Sequence, residues 1–151
     1  MTAFSTSTVA ADSIVVALTP GAPADVVDAA FALAAERGVP VLAVRAWHDP
    51  GVPLGGWLRP HGTARWDALR QKAQEELDSA VGHAKAAHPA VEVGTVVVDD
   101  DPVPFLAALS AQAALLVLGR PRHPGQRASP VDELVRQAAC PVLVVPPTQR
   151  T

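Results

Sequence analysis

The sequence predicts a single α/β domain built around one parallel β-sheet. Five short apolar runs rich in β-branched residues alternate with four segments of helical periodicity, and this alternation is typical of consecutive βαβ units. The apolar runs are nearly continuous, as expected for strands that are buried on both faces of a parallel sheet. The length of 151 residues suits one hydrophobic core and makes a two-domain enzyme a poor fit.

The first part of the domain is predicted to contain two strands, one helix and a long loop. Strand one covers residues 13–18 and ends at a Thr-Pro-Gly turn, and strand two covers residues 39–46. Between them, a helix is predicted over residues 24–37, which Gly38 terminates. Its predicted apolar stripe, at three-to-four spacing, consists of Val26, Val27, Ala30, Leu33 and Ala34. After strand two, a stretch dense in Gly and Pro predicts a loop over residues 47–63. Long loops of this kind often carry function.

The remaining part is predicted to contain three helices and three strands. The predicted bounds are 64–87 for the longest helix, 91–98 for strand three, 104–113 for the next helix, 115–118 for strand four and 141–145 for strand five. Asp101 and Ser129 each precede a proline, a combination typical of an N-cap followed by the first helical residue. The helix after Ser129 carries on its apolar side Val131, Leu134, Val135 and Ala138.

These elements predict a Rossmann-like sandwich with helices on both faces of a five-stranded parallel sheet in the order 3-2-1-4-5. The domain is expected to cover residues 13–147, between a flexible arm at 1–12 and a tail at 148–151. Strand five is short, apolar and expected at the edge of the sheet, where a second copy could pair with it. A homodimer is therefore predicted through Val142, Leu143, Val144 and Val145.

Composition argues against several classes of partner. The formal net charge of −3 and the isoelectric point near 5.9 give no general attraction to nucleic acid or to anionic membranes. The longest mostly apolar run, residues 105–118, is shorter than a membrane span requires. The first residues resemble no signal peptide, so we expect a cytoplasmic protein. The single cysteine, Cys140, excludes an intramolecular disulfide and is expected to pack as a small core residue.

The topology also indicates where a ligand would bind. In such sheets, ligands bind beyond the carboxyl ends of the strands, where the strand order reverses. Strands one and four flank that point in the predicted order. Their following segments supply the candidate anion or nucleotide site, made of Thr19, Pro20, Gly119, Arg120, Arg122, Arg127 and Ser129. The three arginines and the following helix N-terminus would attract phosphate, and the alternative is a solvated basic loop.

Other residues with catalytic or metal-binding potential have simpler explanations. The aspartates at 99–101 could hold a cation, but one caps a helix and the others fit a solvated strand end. His48 and His61 lie in the loop rich in Gly and Pro, where surface hydrogen bonding explains them. The residue types of a triad occur without the spacing of a nucleophile elbow in His123, Ser129 and Asp132. We therefore expect no catalytic residue and no metal site.

Motifs along the chain resemble the universal stress protein family over about residues 14–147. They are IVVAL before a turn, VLAVRAWHDP, DDPV, LLVLGR and, most specific, ASPVDELVRQAACPVLVVP. The resemblance implies a five-stranded parallel sandwich that is usually dimeric, with some members that bind ATP and others that do not. The ATP-binding branch carries Gly, two residues, Gly, nine residues and then Gly-Ser or Gly-Thr.

The chain departs from that ATP-binding pattern. Gly119 matches the first glycine, but Arg122 and Ala128 stand at the other two glycine positions, with five residues between them instead of nine. Thr19 stands where such proteins usually carry an acidic residue near the adenosine. The resemblance therefore implies a non-catalytic regulatory or binding module of the stress response, with an unknown protein partner and weak or no ATP binding. The alternative is an ATP-binding, slowly hydrolysing switch that uses Mg²⁺ and the loop from Gly119 to Ser129.

Overall fold

A computed structural model describes residues 12–18, 24–46, 64–98, 102–119 and 130–146, where strands and helices alternate along the chain. The strands are β1 (Ile14–Leu18), β2 (Val41–Ala46), β3 (Val93–Val98), β4 (Leu115–Gly119) and β5 (Val142–Val145). The helices are α1 (Ala24–Arg37), α2 (Ala64–Ala87), α3 (Pro102–Ser110) and α4 (Pro130–Gln137). The predicted βαβαβαβαβ order is confirmed.

All five strands belong to one parallel sheet in the order β3-β2-β1-β4-β5. The first strand is central, because Ile14 is in register with Val41 of β2 on one side and with Leu115 of β4 on the other. The strand order reverses between β1 and β4, as predicted. In this class of sheet, ligands generally bind beyond the carboxyl ends of the two strands that flank the reversal.

The two faces of the sheet carry separate hydrophobic clusters. Alternate residues of β1 supply them: Ile14, Val16 and Leu18 pack in the cluster with α1 and α2, while Val15 and Ala17 pack in the cluster with α3 and α4. This division follows from the strand period of two, which sends successive side chains to opposite faces. The sheet is therefore covered on both faces, and its central strand has no polar side.

Backbone hydrogen bonds explain where the observed elements differ from the predicted ones. Strand β2 begins two residues later than predicted, because the N–H of Val39 donates to the carbonyl of Ala34 and closes the end of α1. Gly38 adopts a φ of 68° in that turn, the left-handed conformation typical of a helix C-terminus. Helix α3 begins at Pro102 and ends at Ser110 rather than running over 104–113. Its continuation tightens into a turn in which each N–H bonds the carbonyl three residues back.

Two side chains differ from the pattern of the sequence. Val135 is predicted on the apolar side of α4, and this is wrong, because its side chain is 51% exposed. Leu134, which is predicted on the same side, is buried, and Val135 points away from it because consecutive helical residues lie about 100° apart. Phe31, which the predicted apolar stripe of α1 leaves out, is fully buried, with its ring centroid 6.4 Å from that of His88. Helix α1 thus contributes a wider apolar face than predicted.

The predicted arm, residues 1–12, lies outside the described residues except for Asp12. The predicted tail, residues 148–151, lies wholly outside them. No helix in the described part of the chain is both long and apolar enough to cross a membrane.

Candidate functional site

One row of residues runs across the carboxyl end of the sheet. The strand registers place Val97, Arg45 and Leu18 side by side on β3, β2 and β1. On β4 and β5, Gly119 is in register with Val145, and continuing the β1–β4 register places Gly119 level with Leu18. These five positions lie on the face that α1 and α2 cover. Leu18 and Gly119 therefore border the point where the strand order reverses.

Gly119 allows α1 to lie very close to β4. A Cβ atom added at this glycine would lie 2.8 Å from Cγ2 of Val26, in the first turn of α1. Carbon atoms attract each other at about 3.5–4.0 Å, so a contact this short forces a shift of the Val26 side chain, of the helix or of the strand. Gly119 is not in the left-handed region, and close approach alone requires the glycine. Its match to the nucleotide-binding motif therefore has a packing explanation.

Arg45 and Glu76 form a charged pair on the same face. The Arg45 side chain lies in the row described above and is 5% exposed as a residue. Its Nη2 atom lies 3.3 Å from Oε1 of Glu76 on α2, whose side chain is 43% exposed. A buried guanidinium requires a compensating partner, because removing it from water is costly. The pair ties the end of β2 to α2, on either side of residues 47–63.

This pair is not among the predicted site residues. One signal was available, since Arg45 is the only charged residue in the run VLAVRA, and a charged residue inside a buried strand needs a partner. The identity of the partner was not readable, because Glu76 lies 31 residues further along the chain.

Helix α4 begins where the predicted loop ends. It starts at Pro130, as the Ser-Pro sequence predicts, and its first turn carries Asp132 and Glu133. Carboxylates at this position stabilise a helix through its dipole. The same charges repel an anion that approaches the helix N-terminus. This end of the candidate site therefore combines a helix dipole that favours an anion with an acidic first turn that disfavours one, and Asp132 of that turn also interacts within the chain.

Most of the predicted site lies outside the described residues. Gly119 lies within the described residues. The other predicted members lie outside them and are Thr19, Pro20, Arg120, Arg122, Arg127 and Ser129. The aspartates at 99–101 and the histidines at 48, 61 and 123 also lie outside the described ranges. The grouping of these residues into one site stays a prediction. Within the described ranges, no group of three His, Cys, Asp or Glu side chains could hold a metal ion.

Cys140 lies between α4 and β5 and is half-buried. It packs against the cluster on the α3 and α4 face, and its Sγ lies 3.4 Å from the carbonyl oxygen of Pro141. Burial raises the pKa of the Cys140 thiol, and a hydrogen bond from the Leu116 backbone opposes that rise only in part. A raised pKa leaves little thiolate at neutral pH, which favours a packing role over nucleophilic chemistry.

Comparison with known proteins agrees with the motifs and the sheet order. The model of the universal stress protein family matches residues 11–146. This chain belongs to the universal stress protein family. Two universal stress proteins of Mycobacterium tuberculosis strain H37Rv are 33% and 32% identical to it over 119 residues. The match covers 76% of this chain but 37% and 38% of those relatives, so the chain spans well under half their length.

Solved structures show the same fold. A universal stress family protein from Burkholderia pseudomallei is 27% identical with a TM-score of 0.63, covering 90% of this chain and 96% of that one. A universal stress protein in complex with cAMP gives a TM-score of 0.67 at 19% identity, covering 89% and 96%. The universal stress protein from Archaeoglobus fulgidus in complex with dAMP gives 0.61 at 19% identity, covering 89% and 97%.

We predict that Gly119→Ala lowers the free energy of unfolding by about 1–3 kcal/mol, because the new Cβ overpacks the contact with Val26. The measurement is urea denaturation followed by circular dichroism. In a Val26→Ala background, which removes Cγ2, the same substitution should cost about 1 kcal/mol less. Gly82→Ala is the control, since its Cβ meets nothing within 4 Å and should stabilise α2 by about 0.5–1 kcal/mol. An equal loss with and without Val26 would contradict the packing explanation.

We predict that Glu76→Gln lowers the free energy of unfolding by about 1 kcal/mol, because it removes a carboxylate that compensates buried Arg45. The cost is modest, since the Glu76 side chain is 43% exposed in the parent protein and water screens its charge. Urea denaturation at low and high salt measures this cost, which should shrink as salt screens the pair in the parent protein. Glu75→Gln, one residue away at an exposed position, is the matched control. Equal effects of the two substitutions would show that the pair contributes nothing of its own.

Proposed function

We propose that this universal stress protein is a non-catalytic regulatory or binding module of the stress response, acting in the cytoplasm as a homodimer and binding ATP weakly or not at all. The observation that carries the proposal is the acidic first turn of α4, with Asp132 and Glu133 directly after the candidate phosphate loop. Family membership supports the link to stress.

Charge and backbone freedom both disfavour a triphosphate at this loop. Asp132 and Glu133 place two carboxylates in the helix turn that a phosphate would approach, and like charges at close range oppose binding. Arg122 and Ala128 replace glycines of the ATP-binding pattern, and side chains with a Cβ restrict the conformations through which backbone amides surround phosphates. The remaining glycine, Gly119, has its packing role against α1.

The edge of the sheet at β5 supports a homodimer. Strand β5 is last in the sheet order and pairs with β4 alone in the described part of the chain. The N–H of Leu116 donates to the carbonyl of Pro141, so the alternation of a strand directs the backbone groups of Val142 and Val144 to the open side. Leu143 is 37% exposed beside that edge. An open apolar edge of this kind favours pairing with a second strand.

A second candidate function is an ATP-binding switch at the loop from Gly119 to Ser129. Two structural neighbours with the same fold hold adenine nucleotides, namely cAMP and dAMP. Three arginines in the loop would supply charge-assisted hydrogen bonds to phosphate, with Mg²⁺ as the companion ion. The candidate also includes Thr19 and Pro20, which follow β1 in the sequence. This candidate predicts saturable nucleotide binding, which separates it from the first.

We predict that titration calorimetry with ATP and Mg²⁺ gives no saturable binding of one nucleotide per chain, because the acidic turn and the missing glycines disfavour the phosphates. The protein is first verified nucleotide-free by denaturing mass spectrometry. Saturable binding would establish the switch instead. In that case Arg122→Ala and Arg127→Ala should each weaken affinity by about tenfold, equal to about 1.4 kcal/mol, while Arg37→Ala, in the last turn of α1, should leave it unchanged.

We predict that the wild-type chain is a dimer and that Leu143→Lys raises its dissociation constant by at least about tenfold. Two symmetry-related lysines would approach each other across the paired edges, and like charges at an interface oppose association. Sedimentation equilibrium measures the constant. Ala86→Lys, at an exposed position of α2, adds the same charge away from β5 and should leave it unchanged. A monomeric wild type, or equal constants for the two variants, would refute the dimer edge.

A further inference from the structure

We propose that Ser110 is a positioning residue that holds the entry to β5 and so keeps the proposed dimer edge in place; this inference rests on the proposed homodimer. Ser110 is the last residue of α3 and is 1% exposed. Its hydroxyl donates to the carbonyl oxygen of Ala107 at 2.6 Å and accepts from the N–H of Ala139 at 2.9 Å. One buried hydroxyl therefore joins the end of α3 to a segment 29 residues further along the chain.

Ala139 lies in the short connection between α4 and β5. On one side of it, the N–H of Ala138 closes α4 by donating to Leu134 at 2.8 Å. On the other side, Pro141 accepts the first ladder bond, from Leu116 at 3.0 Å. Between these two backbone anchors, Ser110 supplies the bond that the Ala139 amide finds in neither helix nor strand. The hydroxyl thus fixes the direction in which the chain enters β5.

Strand β5 depends on such an anchor more than the other strands do. It has four residues, and each of them is half-buried or exposed, whereas β1 and most of β4 are buried. A segment with few buried apolar contacts opens locally at low cost, without unfolding of the whole domain. Holding its first residues therefore decides how much of the time the edge is ordered. A paired dimer edge requires that order.

Loss of the hydroxyl removes the protein acceptor of the Ala139 N–H, whose bond to Ser110 is partly buried although Ala139 as a residue is exposed. Exchanging this bond for one to water removes its contribution to the closed connection, so the connection and β5 should open more often. The effect should be local. Amides of β5 should lose protection, while amides of β1, which is buried throughout, are expected to follow the overall stability alone.

Hydrogen exchange measured by NMR on Ser110→Ala tests this. We expect the amides of Ala139, Leu143 and Val145 to exchange about tenfold faster relative to those of β1, and the dimer dissociation constant to rise by about tenfold. Ser79→Ala, on the exposed face of α2, is the control and should change neither readout. Ser110→Thr keeps the hydroxyl and should restore slow exchange at Ala139.

Three results would overturn the proposal. The first is an equal increase of exchange in β1 and β5, which indicates a purely global effect. The second is an unchanged dissociation constant despite faster exchange in β5. The third is read on the wild type, so that it holds even if Ser110→Ala does not fold: an Ala139 amide that exchanges as fast as that of exposed Ala90. A monomeric wild type refutes the proposed dimer instead, and the exchange data still decide whether Ser110 holds β5.

Discussion

Strand β1 has a paired strand on each edge and a helix layer on each face, and the rest of the structure depends on that position. Its backbone bonds β2 and β4, and its side chains alternate between the two hydrophobic clusters. No residue of β1 can therefore be polar without a buried partner. The same requirement extends to the middle of β2 and β4, so any chemistry in this fold is displaced to the ends of the strands.

The row of five residues across the carboxyl end of the sheet shows how the helices are held at that end. Three of its five positions are aliphatic, and the two exceptions are Gly119, which has no side chain, and Arg45, which is charged. Each of these two residues is suited to the helix that packs over it. Helix α1 lies too close to β4 for a Cβ, and α2 supplies Glu76 to the guanidinium. The two helices of this layer are thus positioned by a steric limit and by a charge pair.

Local patterns were sufficient to predict the order of elements, the parallel sheet and the strand order. Apolar runs, helical spacing and the Gly and Pro signals are properties of short segments, and β1 or α2 can be read from them. The misplacements at Val135 and at the end of α3 concern the exact bounds and facing of a helix, which local patterns fix only to within a residue or two. The pairs Arg45 with Glu76 and Ser110 with Ala139 join residues 31 and 29 positions apart. No local period encodes such pairs, so sequence patterns do not predict them.

The candidate site was predicted from topology and from a motif, and the two carry different weight. Topology correctly placed the reversal between β1 and β4. The motif is weaker evidence, because Gly119 is the member that a helix contact already requires. A glycine at this position is expected whether or not a nucleotide binds, so its presence does not distinguish the two functions. Arg122 and Ala128 bear more directly on the choice, since the resemblance implies glycine at both positions in members that bind ATP. Together with the acidic first turn of α4, they weigh against a phosphate-binding loop of the family's usual kind.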